Sequence, residues 1–287
     1  MWTVIPGVLL TGFAIVEVFK DLFHPTASGS LSDYIGRTVF RLFRRWPSRL
    51  STAGPISLVL VMLCWALSLA LGFALIYWGF FPDDFHVQTG RSPSAEHGFW
   101  SVLYFSLQVL TTLGFGDFAP ISGWLRVLVT LHALIGYSLI TASISWIVLL
   151  YPALGRMRSF ARRVGTLVEA ERRTNIPVIS NDAQYVLGNM TDHVVRARVD
   201  LIHYPIIYYF HSESDQASVS QSIPHLLRFA REGSKPQYSE RVRFAAAALQ
   251  IALDDLASIL SERFLPIHTN DPDSVFRAYR EDHVSTD

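Results

Sequence analysis

The sequence predicts an all-α membrane protein on three observations. Only 17% of its 287 residues are charged and 50% are hydrophobic, where an ordinary soluble domain carries roughly 25% charged residues. The charges are unevenly spread, leaving residues 50–82 and 127–155 without a single Asp, Glu, Lys or Arg. Each run exceeds the ~20 apolar residues that cross a hydrocarbon core of about 30 Å as a helix. Composition also excludes classes of function. Twenty-four basic residues balance 24 acidic ones, which argues against a nucleic-acid binder with its basic surplus. A lone cysteine, Cys64, can form neither an intrachain disulfide nor a cysteine-based zinc site.

Taken in order, the first element is a membrane helix over residues 3–23, within a segment 1–24. Glu17, Lys20 and Asp21 stand near its end, so the alternative is a partly inserted helix whose charges snorkel to the interface. No basic stretch precedes the run and no small-residue cleavage site follows it, which argues against a secretory leader. Residues 25–54 form a basic linker in which Arg37, Arg41, Arg44, Arg45 and Arg49 fill one helical face, opposite Ile35, Val39, Leu42, Phe43 and Trp46. A basic amphipathic helix ended by Pro47 suits the surface of anionic lipid. A voltage sensor is the competing reading of the same spacing, but the helices that precede one are absent. The next element is a spanning helix at 56–81, and another runs from Arg126 to Gly155. Arginines of the linker, together with Arg156, Arg158, Arg162 and Arg163, put both flanks on the cytoplasmic side and the 83–97 loop outside.

Between the two spans, residues 95–120 read AEHGFWSVLYFSLQVLTTLGFGDFAP. The apolar start is about 16 residues, too short to cross, and suits a re-entrant helix that stops at glycines. Non-helical backbone at membrane depth is tolerated where it is buried in protein or lines an aqueous path. Thr112-Leu113-Gly114-Phe115-Gly116-Asp117 resembles the selectivity filter of potassium channels, whose usual form is T-V-G-Y-G followed by Asp. The resemblance covers residues 55–155 and implies an outer helix, a re-entrant pore helix with filter, and an inner helix. By it, carbonyl rings from Thr112, Leu113, Gly114 and Phe115 replace the hydration shell of K⁺, with Gly116 at the outer mouth. Thr111, Gln108 and Asp117 would support the filter, Gln108 standing where the family often has a glutamate. Leu113 and Phe115 depart from the usual valine and tyrosine, and Phe115 lacks the hydroxyl that braces the filter. Gly136, 20 residues after Gly116, falls where the family's inner helix often hinges, although a membrane-helix glycine also serves close packing. One filter loop per chain implies a homotetramer.

Residues 156–268 read as a helical cytoplasmic domain and 269–287 as a flexible polar tail. Leu201–Phe210 reads as a buried core helix. At 241–263, Val242, Ala246, Leu249, Leu253, Leu256 and Leu260 suit either a tetrameric coiled coil or a helix packed inside its own domain. His193, His203, His211 and His225 lie near Asp192, Asp200 and Asp215 without metal-ligand spacing and read as structural or surface residues. No G-x-G-x-x-G follows a strand, so a nucleotide-binding domain has no support.

The expectation is a non-enzymatic, tetrameric K⁺-selective channel in the plasma or inner membrane, with K⁺ as permeant ion, lipids as partners, no cofactor and no nucleic acid. The cytoplasmic ligand is left open. A weakly selective cation channel and a membrane-anchored sensor or scaffold with a vestigial pore are the competing readings.

Overall fold

Helices account for nearly all regular structure in the computed structural model, which describes residues 2–23, 30–87, 98–210, 218–267, 269 and 271–283. In chain order they are α1 (Val4–Phe23), α2 (Ser30–Phe43), α3 (Ala53–Trp78), α4 (Phe99–Leu110), α5 (Gly123–Thr174), α6 (Gln184–His203), α7 (Val219–Gly233), α8 (Glu240–Arg263) and α9 (Pro272–His283). Strands β1 (Phe85–Val87) and β2 (Phe118–Pro120) form a two-stranded antiparallel ladder. The protein is an all-α membrane protein. It divides into one unit of residues 1–35 and 58–148 and a second of residues 36–57 and 149–287. Residues 88–97 of the expected outer loop, and His211 and Asp215, lie outside the described residues.

Leu50–Trp78 and α5 are long and apolar enough to cross a membrane. Helix α8 meets the same measure, but Asp254 and Asp255 interrupt it and its apolar face is buried against α6, α7 and α9. In the first unit α1 lies antiparallel to α3: a Cβ on Gly7 would come within 2.7 Å of the Gly72 carbonyl oxygen, and one on Gly79 within 2.6 Å of Val4. Small residues allow this backbone approach. The buried stripe Gly7, Thr11, Ala14 and Glu17 continues the contact along α1 at helical spacing. The charges at the end of α1 cap α2: Glu17 accepts the Leu31 N–H at 2.9 Å and Asp21 accepts the Ser32 hydroxyl at 2.8 Å. Carboxylates are stabilised at helix N-termini in this way, so these two serve protein contacts rather than reaching for lipid head groups. Trp146 is buried against Trp65 with ring centroids 5.2 Å apart.

Helix α5 continues through Pro152 to Thr174, so the expected boundary at 155 falls inside a helix. The reason is tertiary: Leu150, Ala153, Leu154, Met157, Phe160, Ala161 and Val164 make one buried face, and packing outweighs the hydrogen bond that proline removes. In the second unit one face of the basic segment lies on protein. Phe40 packs against Tyr208, Tyr209 and His283, and Arg44 pairs with Asp282 at 2.9 Å. Helix α2 ends at Phe43, before Pro47.

Two expectations are corrected there. Leu201–Phe210 is no continuous helix, because α6 stops at His203 and Pro205 starts a 3-10 turn, Pro205–Tyr209, whose Ile206, Ile207, Tyr208 and Tyr209 are buried. The tail from 269 is not free: α9 buries Val275, Phe276, Tyr279 and His283. Asp271 accepts the Ser274 N–H at 3.1 Å and Pro272 takes the first helical position, a sequence signal for a helix start. Helix α8 is the core of this unit, with Val242, Leu249, Leu253 and Leu260 fully buried.

Candidate functional site

The site is built where α4 stops. Helix α4 runs between the caps Gly98 and Thr111, held from behind by the first unit's aromatic core. Val102, Phe105 and Val109 pack among Phe73, Tyr77, Phe85 and Leu125. The Ser106 hydroxyl donates to the Ala70 carbonyl of α3 at 2.7 Å, a buried bond worth about 1 kcal/mol. On the other side, a Cβ at Gly136 of α5 would overlap the Leu110 carbonyl oxygen. Gly136 therefore lets α5 touch the last turn of α4 backbone to backbone, and α5 runs unbroken through it.

Beyond α4 the chain leaves the helix in a repeating way. Thr112, Gly114 and Gly116 have φ of 58°, 54° and 80°, so every second residue is left-handed while Leu113 and Phe115 are not. Glycine adopts such angles freely, whereas Thr112 carries a cost of about 1–3 kcal/mol. Its strain is held by the helix end: the Thr112 N–H donates to the Val109 carbonyl at 3.0 Å and the Leu113 N–H to the Gln108 carbonyl at 2.9 Å. The Thr111 hydroxyl donates to the Leu107 carbonyl at 2.7 Å.

The far end is fastened twice. Buried Gln108 donates from Nε2 to an Asp117 carboxylate oxygen at 3.1 Å, which fixes the residue after Gly116 to the helix before Thr112. Phe118 then pairs with Val87 and Pro120 with Phe85, and the Ile121 N–H donates to the Asp84 carbonyl at 2.8 Å. Arg126 bonds the Pro120 carbonyl at 3.1 Å. This strand clamp was invisible in sequence: each strand has three residues and the partners lie about thirty positions apart. Behind the clamp, Tyr77 and His132 share a buried hydrogen bond of 3.1 Å, and His132 stacks on Phe73 at 3.7 Å.

The structure thus brings Gln108, Thr111, Thr112, Leu113, Gly114, Phe115, Gly116, Asp117 and Gly136 into one site. Leu113 is 62% and Phe115 67% exposed in the single chain, and nothing stands within 4 Å of a Cβ placed on Gly114 or Gly116. The basic residues belong elsewhere: Arg37, Arg41 and Arg45 are exposed, Arg44 is paired, and nothing of the Arg49 side chain is described. Of the C-terminal histidines, His193 stacks on Phe160, where burial chiefly, then Arg163 and Arg196, hold its pKa below the usual value. His225 is lowered in the same direction, again by burial first. No cluster of potential metal ligands occurs among the described residues.

Residues 60–150 match the model of a family described as "Ion channel". The chain is also similar to "Uncharacterized membrane protein YdjJ" of Bacillus subtilis (strain 168), 28% identical over 229 residues that cover 75% of this chain. The chain spans 64% of the length of that relative. No solved structure matches. The matched segment contains α4, the alternating backbone and Gly136, and the family it matches is one of ion channels rather than enzymes. Residues 60–150 of this membrane protein are therefore similar to an ion-channel family.

Proposed function

We propose that this chain is one subunit of a homotetrameric potassium-selective channel. The observation that carries the reading is the alternation of left-handed φ at Thr112, Gly114 and Gly116 in a T-L-G-F-G-D segment at the end of a membrane-embedded helix. Alternating handedness turns successive carbonyls toward one side, which is what a ring of oxygens around a single-file ion requires. Thr112, Leu113, Gly114 and Phe115 supply the rings, the Thr112 hydroxyl adds an inner one, and Gly116 opens the outer mouth. The C-terminal end of α4 adds the negative end of a helix dipole beside the inner ring.

One chain holds one such loop, and four copies close the rings. The exposed Leu113 and Phe115 side chains are then covered by neighbouring copies. Where the family's tyrosine hydroxyl would brace the filter, this chain relies on the Gln108–Asp117 bond and the β1–β2 clamp. Gly136 is in packing contact here and serves as a hinge if α5 bends away from Leu110. The exposed Arg37, Arg41 and Arg45 face anionic lipid on the cytoplasmic side, and the second unit is cytoplasmic.

Purified protein in liposomes should pass K⁺ down its gradient, and Gly114→Ala or Gly116→Ala should abolish the flux while the protein still inserts. Retained K⁺ flux in both variants would overturn the assignment. Leu113 and Phe115 favour a second reading, a less selective cation channel, and comparison of K⁺ with Na⁺ flux in the same liposomes separates the two.

A further inference from the structure

We infer that the outer face of α8 is a self-docking surface, on which a second copy of this chain lays its own α8 antiparallel about a two-fold axis near Ala248. Helix α8 is apolar on two sides. One is spent inside its own unit, where Val242, Ala246, Leu249, Leu253, Leu256 and Leu260 are buried. The other carries Arg241, Phe244, Ala248, Ile251 and Asp255, whose steps of three, four, three and four place them along one face. Phe244 is 78% and Ile251 63% exposed.

The occupant follows from the order of the five residues. A two-fold axis at Ala248 sets Phe244 against the partner copy's equivalent of Ile251, and Arg241 against its equivalent of Asp255. Ala248 meets its own copy at the crossing, where a small side chain allows close approach. Each copy thus offers a cation where the other offers an anion, which favours the pairing and fixes its register. Arg241 and Asp255 form no ion pair with another described residue, so both are available. The nearest competitor is Arg198, whose guanidinium bonds the Asp255 carbonyl at 3.3 Å. A parallel, in-register bundle of the same face would stack Arg241 on Arg241 and Asp255 on Asp255, which is repulsive. A membrane surface is a poorer occupant because Asp254 and Asp255 flank the face where an anionic bilayer calls for basic residues. The contact is isologous and does not depend on ion conduction: it joins subunits in pairs within an assembly or between two assemblies.

Disulfide trapping in the full chain tests it, on a Cys64→Ser background so that no native thiol competes. Under mild oxidation Ala248→Cys should give a covalent dimer. Phe244→Cys alone and Ile251→Cys alone should not, since an antiparallel contact separates each from its own copy by about 9–12 Å along the axis, beyond the ~7 Å reach of a disulfide. The Phe244→Cys/Ile251→Cys double variant should link. That variant leaves Ala248 intact, so a folding defect from filling the crossing point cannot hide the contact. Arg241→Asp should reduce Ala248→Cys trapping several-fold, and adding Asp255→Arg to the same chain should restore it. Linking of Phe244→Cys and Ile251→Cys each to itself would establish a parallel contact and overturn the inference. Absence of trapping at Ala248 and in the double variant, as for a face held on lipid or left in solvent, would overturn it as well. K⁺ flux of the same preparations reports separately on the channel reading.

Discussion

The two units spend their residues differently. In the first, side chains hold a strained main-chain segment in place: Gln108 ties Asp117, Ser106 ties α3, and the ring packing of Tyr77, Phe85, Phe105 and Phe118 stands behind. The flanking Leu113 and Phe115 are left uncovered. In the second, the fold is an ordinary exchange of water for apolar contact around α8, with Phe244 and Ile251 left exposed on its outer face. Both units thus leave apolar side chains exposed, the first at its site and the second along the outer face of α8. A change in the first should cost function, whereas a change in the second should cost stability.

The comparison breaks most sharply at Gly136. Gly136→Val places a branched side chain whose Cβ would lie 2.2 Å from the Leu110 carbonyl oxygen, and backbone cannot give way as a flexible side chain can. Loss of K⁺ flux together with loss of tetramer on native gels is expected, while hydrogen exchange of α6 and α8 peptides should stay as in the wild type. Next in size is Leu249→Ala in the second unit, where the side chain is fully buried and its removal should cost about 2–5 kcal/mol. Faster exchange throughout α6, α7 and α8 would register it.

Gln108→Ala should be milder. It removes a charge-assisted bond to Asp117, worth about 1.5 kcal/mol, and if the chain conducts as proposed, single-channel open times should shorten by about tenfold. Unchanged open times would mean that the strand clamp alone holds the outer end.

The smallest effect is that of pH on the second unit. His193, His225 and His283 all have pKa values lowered chiefly by burial, so the unfolded chain binds more protons near pH 6. The stability they contribute is present above the ordinary histidine value of about 6.5 and is lost as pH falls below it. The melting temperature of this unit should fall from pH 7.5 to 5, and a rise would contradict the burial argument.

How legible these units were in sequence follows the same division. The uncharged runs exposed α3 and the first part of α5, because a hydrocarbon core demands apolar length and little else. The alternating backbone was legible because T-L-G-F-G-D puts glycine at two of its three left-handed positions. What stayed hidden depends on distant partners. Helix α5 continues past Pro152 only because its later face is buried, the 3-10 turn at Pro205 follows from a proline inside an apolar stretch, and β1 and β2 are too short to carry a pattern. Helix α9 was legible in principle: Asp271-Pro272 signals a start, and Val275, Phe276, Tyr279 and His283 make a stripe that a polar average conceals.

The central claim is that the backbone from Thr112 to Gly116 selects K⁺. Reversal potentials recorded from purified protein in bilayers, with K⁺ on one side and Na⁺ on the other, test it most directly. The account predicts a potential close to that of K⁺ at equilibrium, lost with Gly116→Ala. A potential near zero with robust current through the wild-type protein would contradict it.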